Sequence, residues 1–461
     1  MNRKRRHHGG FTIVELLVAA TVGLLLVLGV IEAFRQIAHA VNKGRANVQL
    51  SGQLRNVTNL LREDFRGITV QATPNTTAAS AMGYFEIIEG VDNDSISSSG
   101  GFDTLTGDTD DVIMFTSRRL GEPFAGRVRG TFVASSRLFE NITSPNAEII
   151  YWLEPRNTEF LRDGIDNNGN GNTDDPTEGL IAPTQHNGMP LATLRRRALL
   201  IRPDLNNDAG ILSGVTTANW VTFLNENDIS VHINANGTVS ANTLADLTLR
   251  KNRVAHLPTN PGNVYRDNNF PHPFTTARLP FQSGIFMGED VVFDQVIGFD
   301  VRVYDPLVKI VADSTNTEPL VPGDFGYEHA NFNTDTIGRG AYVDLGFASR
   351  ISRTQAQVGG TALCVDTSYR PQLGNYNVYD TWTIEYERDG LDQDNAFGAD
   401  QGFNGLDDNP GVNRGVDDAT EREAPPPYSV PLRGFQVIVR VFQNSQQQTR
   451  QFTVNHDFTP E

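Results

Sequence analysis

Apolar residues fill the chain from Phe11 to Ile31, and Glu15 is the one charged side chain among them. At about 1.5 Å per residue such a run spans roughly 30 Å as a helix, the thickness of a bilayer core. Beyond it the pattern changes without breaking. From Glu32 to Phe65 there is no proline, and Ile37, Val41, Val48, Leu54, Val57, Leu61 and Phe65 recur at spacings mostly of three, four and seven. That is the mark of an amphipathic helix with one buried stripe. Gly44 and Gly52 weaken it by about 1 kcal/mol each relative to alanine. Gly67 and then Pro74 end it. The expectation is one helix from Thr12 to Arg66, membrane-spanning over 11–34 and amphipathic over 35–66.

After the helix the texture is that of strands. Tyr84–Ile88, Asp111–Thr116, Gly130–Val133, Glu148–Leu153 and Arg197–Arg202 are short β-rich runs between turn residues. The longest is Val291–Tyr304, where Phe299, Val301 and Val303 alternate with Asp300, Arg302 and Tyr304, the period of a half-buried strand. Phe435, Val437, Val439 and Val441 alternate again, and Arg450–Val454 is placed to pair with them as a closing hairpin. Strands joined by turns, without helical patterns between them, predict antiparallel pairing. The fold class is therefore α+β: a long N-terminal helix laid by its Ile37-to-Phe65 stripe on the antiparallel sheet of a β-rich head over 67–461. Polar, glycine-rich insertions interrupt the head near 90–110, 163–179, 209–280 and 313–430.

Charge refines this picture. The net charge is −17 over 461 residues, yet residues 1–10 form a basic leader, Arg3-Lys4-Arg5-Arg6 closed by Gly9-Gly10. Positive charge before an apolar helix keeps the leader cytoplasmic and sends the acidic remainder across the membrane. An acidic exterior offers no basic stripe for phosphates, which argues against a nucleic-acid partner and favours cations. The single cysteine, Cys364, excludes an intrachain disulfide and reads as a small core residue.

A glycine before the apolar run and a lone glutamate inside it do not fit an ordinary secretory signal, whose cleavage site follows its apolar core. The order Gly10-Phe11-Thr12-Ile13-Val14-Glu15 resembles the class III signal of type IV prepilins and type II secretion pseudopilins. The resemblance implies that a prepilin peptidase cuts after Gly10 and methylates the new amino terminus on Phe11. It also implies that Glu15 pairs with the N-terminal amine of a neighbouring subunit during assembly. Major pilins often close their C-terminal region with a disulfide, which this chain cannot form, so minor pilins and pseudopilins fit better.

The body resembles the J-type minor pseudopilin and PilW-like minor pilins in the order of its strands. These are Asp110–Ser117, Ile150–Leu153, Leu194–Arg197, Val296–Asp305 and the proline-led Val430–Arg433. The implied protein is anchored once in inner-membrane lipid, with its C-terminal head in the periplasm, and joins other minor and major pseudopilins near the tip of a short fibre. Glu15 argues against the tip-most K-type subunit, which characteristically lacks that glutamate. The competing reading is a type IV minor pilin, or a calcium-stabilised surface adhesin exported by the pilin route.

Two insertions suggest calcium as a cofactor. Asp166, Asn168, Asn170, Gly171 and Asp174 occupy positions one, three, five, six and nine of a calcium-loop template. Alternating Asp and Asn offer the oxygens a hard cation takes, and glycine allows the tight curve. Thr177 stands where that template has its glutamate, and Glu178 follows it. Arg388-Asp389-Gly390-Leu391-Asp392 echoes Arg162-Asp163-Gly164-Ile165-Asp166, and adds Asp389, Asp392 and Asp394 as candidate ligands. A solvated acidic loop is the competing reading for both. Catalytic signatures such as His-Glu-x-x-His, Gly-x-Ser-x-Gly or a phosphate-cradling loop do not occur, so an enzyme is not expected. If calcium orders these insertions, calorimetry on the soluble region registers uptake of at least one ion at millimolar calcium, and a flat titration contradicts the assignment.

Overall fold

The computed structural model describes residues 12–70, 82–89, 111–129, 139–155, 192–207, 210–216, 219–234, 236–249, 252–254, 289–312, 319–322, 324, 326–327, 330–345, 377–381, 432–443 and 448–458. The expected strand at Gly130–Val133 and the insertion at 163–179 lie outside them. Two compact units divide the chain, Met1–Asn56 with Gln443–Gln448, and Val57–Phe442 with Thr449–Glu461.

Helix α1 runs from Ile13 to Arg66. Its apolar positions do not form the single buried stripe that their spacing suggested. Ile37, Val41 and Val48 are 59%, 47% and 76% exposed, whereas Val57, Leu61 and Phe65 are buried. The reason is the six-residue step from Val48 to Leu54. At about 100° per residue it swings the apolar face roughly 120° around the helix, so α1 carries two stripes in succession. The second, in the head, is the one laid on the sheet.

The head is built from β1 (Phe85–Glu89), β2 (Val112–Arg118), β3 (Phe124–Arg129), β4 (Phe139–Ser144), β5 (Asn146–Pro155), β6 (Ala192–Leu200), α2 (Trp220–Glu226), β7 (Val231–Ile233), β8 (Val239–Ala241), β9 (Glu289–Ala312), β10 (Pro319–Leu320), β11 (Thr336–Val343), β12 (Asn377–Asp380), β13 (Gly434–Gln443) and β14 (Gln448–Asp457). Ten strands make one sheet in the order β12-β1-β2-β5-β6-β9-β13-β14, with β10 and β11 also on β9. Its registered pairings are antiparallel. β13 and β14 are neighbours, as expected of the closing hairpin. The span 313–430, expected as an insertion, supplies β10, β11 and β12 to this sheet. β9 is long enough to serve several partners: Val303 pairs with Phe435 on one edge and Val343 on the other.

Alternation sends Phe85, Phe115, Tyr151 and Phe435 to one face, where Phe65 of α1 meets the last three. Its ring centroid lies 5.5 Å from that of Phe115 and 4.9 Å from that of Phe435, edge to face in both cases. The other face carries Ile88, Val112, Met114, Ile150 and Trp152, covered by residues 203–254. That layer holds α2, the β7–β8 hairpin and two 3-10 turns. Most of it falls in the expected 209–280 insertion, yet its Trp220, Phe223, Leu224 and Leu247 join the sheet's apolar cluster. Gly83 admits the close crossing of this edge. It has φ of +76° and no room for a Cβ against the Thr116 side chain.

Two buried polar networks fasten that layer. Glu86 and Asp380 are directly paired on β1 and β12, two like charges side by side. Arg253 reconciles them, donating from Nη1 to Glu86 Oε2 at 2.7 Å and to Asp380 Oδ2 at 2.7 Å. Its Nε and Nη2 reach the Leu247 and Thr248 carbonyls, and its guanidinium lies 4.2 Å from the Tyr84 ring centroid. Nearby, Glu148 accepts from Tyr84 Oη at 2.9 Å, Ser230 Oγ at 2.5 Å and the Val254 amide at 2.9 Å.

Burial raises the Glu148 pKa above the ordinary 4.5, against the opposing pull of its hydrogen bonds. A raised folded value contributes stability that is complete below the unfolded value and lost as pH climbs through the folded one. Glu148→Gln removes that slope, so the stability of parent relative to variant falls as pH rises above 4.5, which urea midpoints across a pH series will read.

Candidate assembly site on the N-terminal helix

The start of α1 follows from four residues, Thr12-Ile13-Val14-Glu15, which form a capping box. The Glu15 amide donates to Thr12 Oγ1 at 3.2 Å, and the Thr12 amide donates to Glu15 Oε2 at 3.0 Å. Thr12 Oγ1 also donates to Oε2 at 3.0 Å, and the Leu16 amide closes the first turn on the Thr12 carbonyl at 3.1 Å. One carboxylate oxygen is thus held by the helix it begins. The other, Oε1, has no hydrogen bond among the described residues, and Glu15 is exposed.

Behind this cap lies a helix long and apolar enough to cross a membrane, with none of its most apolar window buried within the chain. Leu16, Leu17, Leu25, Leu26 and Phe34 all stand exposed. An apolar surface of that continuity marks a lipid or protein interface. Its far edge is set by Glu32, which accepts two bonds of 2.9 Å from Arg35 and one of 3.3 Å from Gln36.

The other end of α1 is fixed in the head by Asp64, whose side chain has no exposed surface. Its Oδ2 accepts from Tyr151 Oη at 2.6 Å and from Arg196 Nε at 2.7 Å. Oδ1 accepts from Arg119 Nη2 at 2.7 Å and Arg196 Nη2 at 3.3 Å, and Ser117 Oγ donates to the Asp64 carbonyl at 2.8 Å. Burial, then the Asp64 charge, raises the Tyr151 pKa well above its ordinary value, so the phenol stays a donor. β6 begins at Ala192, earlier than the Arg197–Arg202 run, because it pairs with β5 as far as Pro155. Arg196 and Arg197 lie inside the strand with carboxylate partners, Arg197 Nη2 standing 3.3 Å from Asp228.

Asp64 was not singled out from the sequence. In Arg62-Glu63-Asp64-Phe65 it looks like one more polar position at a helix end; only the spacing from Leu61 and Phe65, both buried, marks it as facing inward. Thr12 was not singled out either, although Thr-x-x-Glu ahead of an apolar run is the signature of such a cap. Gly10 and Phe11 lie outside the described residues. So do the calcium candidates Asp166, Asn168, Asn170, Asp174, Asp389, Asp392 and Asp394. Among the described residues no group of three or more His, Cys, Asp or Glu is placed to hold a metal.

Residues 5–31 match the family described as the prokaryotic N-terminal methylation motif. The N-terminal segment is type IV pilin-like. No curated protein and no solved structure matches the chain. The motif implies processing by a prepilin peptidase and assembly with other pilins, and the exposed apolar helix fits a membrane-anchored pilin-type protein.

The Asp64 clamp makes a specific demand. Removing the carboxylate strands buried cations, so Asp64→Ala costs about 3–5 kcal/mol of head stability, and the double change Asp64→Ala/Arg196→Met recovers part of it. Urea unfolding of the detergent-solubilised chain, followed by far-UV circular dichroism, checks both.

Proposed function

We propose that this chain is a minor pseudopilin, J-type in its strand order, of a type II secretion or closely related type IV pilus-like fibre. It is cut after Gly10, methylated on Phe11 and held in the inner membrane by 11–34 with its head in the periplasm. The observation that carries the reading is the methylation motif set at the start of an apolar helix that finds no burial within its own chain. The work is mechanical and not catalytic. Apolar helices pack side by side at the fibre axis, Glu15 neutralises a neighbour's N-terminal amine, and the heads face outward with other minor and major pseudopilins around them. Calcium at the acidic segments around Asp166 and Asp392 belongs to the same proposal.

The open Oε1 of Glu15 supports the pairing, since a carboxylate in an apolar bundle is costly without a partner. Glu15→Ala leaves cleavage after Gly10 largely intact but sharply lowers incorporation into the fibre, measured by crosslinking in membranes and by shearing. Normal incorporation of the alanine variant contradicts the pairing.

A further inference from the structure

We propose that the stretch of α1 beyond the membrane is a partner-selecting surface, which docks beside a carboxylate-bearing helix of a different subunit and turns away a second copy of this chain. The proposal rests on the pilin-like assembly through α1 described above, and adds the chemistry of the partner.

From Ala33 to Arg62 the helix carries Arg35, Lys43, Arg45, Arg55 and Arg62 and no Asp or Glu. Apart from Glu15 and Glu32, every acidic residue of the chain lies beyond this stretch. Arg35 is offset by Glu32. Arg45 and Arg55 are exposed and form no ion pair among the described residues.

The same stretch has a surface on which a helix can lie. Ile37, Val41, Gly44, Val48, Gly52 and Arg55 follow one another at steps of three and four, which places them on one face. The three apolar members are exposed, and both glycines have nothing within 4 Å of an added Cβ. Arg45 flanks this face and Arg55 closes it.

Membrane-held helices run parallel, so their extramembrane parts lie alongside one another. Packed helices are about 8–10 Å apart, close to the Debye length of about 8 Å at physiological salt. A second copy therefore sets cations against cations. Axial offsets that bring neither Glu32 nor Glu63 opposite Lys43, Arg45 or Arg55 do the same. A helix with carboxylates at this depth converts repulsion into attraction, and the apolar face then closes. Anionic lipid headgroups do not substitute, because Arg55 lies about 30 Å along the axis past Phe34, several Debye lengths from the membrane edge.

The test uses full-length chains, fluorescently labelled and mixed in neutral phosphatidylcholine vesicles. The probe is a charge-reversed copy, Lys43→Glu/Arg45→Glu/Arg55→Glu. Energy transfer between the parent and this copy is expected to exceed transfer between two parent chains by about five-fold, the sum of a few exposed ion pairs. The excess disappears at about 1 M salt, and a Lys43→Gln/Arg45→Gln/Arg55→Gln copy falls between the two. Equal transfer in all three mixtures overturns charge selection but leaves assembly through α1 standing. No transfer in any mixture overturns both. An effect that follows anionic lipid added to the vesicles, and not the charge of the partner chain, also overturns the proposal.

Discussion

Asp64 carries a charge and has no exposed surface, one turn from the end of a long helix. Taking a carboxylate out of water costs several kcal/mol, and only close, well-aimed donors offset that. The position is also unfavourable for the helix itself, whose C-terminal end prefers cations. Arg196, Arg119 and Tyr151 supply the compensation from three separate parts of the head. Phe65, the next residue, points into the aromatic cluster of the sheet. A slip of α1 by one residue would break both contacts together. The axial and rotational register of the last turns of α1 against the sheet is therefore fixed by one polar and one aromatic constraint acting at the same place.

The opposite face of the sheet is governed by a comparable conflict. Glu86 and Asp380 sit opposite one another on neighbouring strands with no exposed surface, an arrangement the sheet alone cannot sustain. Arg253 comes from the layer of residues 203–254 and is itself fully buried. The layer thus does two things at once: it covers Trp152, Met114 and Val112, and it delivers the cation that lets β1 and β12 lie side by side. Ion pairs of this kind are weak evidence for stability. What they show here is complementarity: one guanidinium satisfies both carboxylates and two backbone carbonyls at once.

Periodicity carried much of the fold. The extent of α1, the strands at 85–89, 112–118 and 146–155, the long β9 and the final hairpin all follow from spacing that local physics enforces. It failed where spacing alone could not say which surface a residue meets. Ile37 and Phe65 share a helical pattern but lie on different stripes, because the step from Val48 to Leu54 rotates the face. The polar texture of 209–280 and 313–430 hid a packed layer and three strands, since a few apolar anchors such as Trp220 and Val343 suffice once a sheet face or edge is waiting. Asp64 was invisible for a related reason. Tyr151 and Arg196, two of its donors, lie 87 and 132 residues away in sequence, so apart from its spacing from Leu61 nothing local distinguishes it from a surface acid.

The first sixty-two positions hold two acidic residues, one inside the apolar run and one just past it, and they are satisfied differently. Glu32 is engaged by Arg35 and Gln36 of its own helix. Glu15 gives one oxygen to the Thr12 cap and keeps the other open among the described residues. A carboxylate already oriented by its own cap would lose little further freedom in the proposed pairing with a neighbour's amine, so the cap would lower its entropic cost. A single polar contact in an otherwise apolar bundle also fixes axial register, as a buried polar residue does in a coiled coil. Lipid-like side chains alone would allow α1 to slide against its neighbours. In the proposed assembly, Glu15 would set depth and the cations beyond Phe34 would set partner, so that one helix would specify both where it docks and beside what.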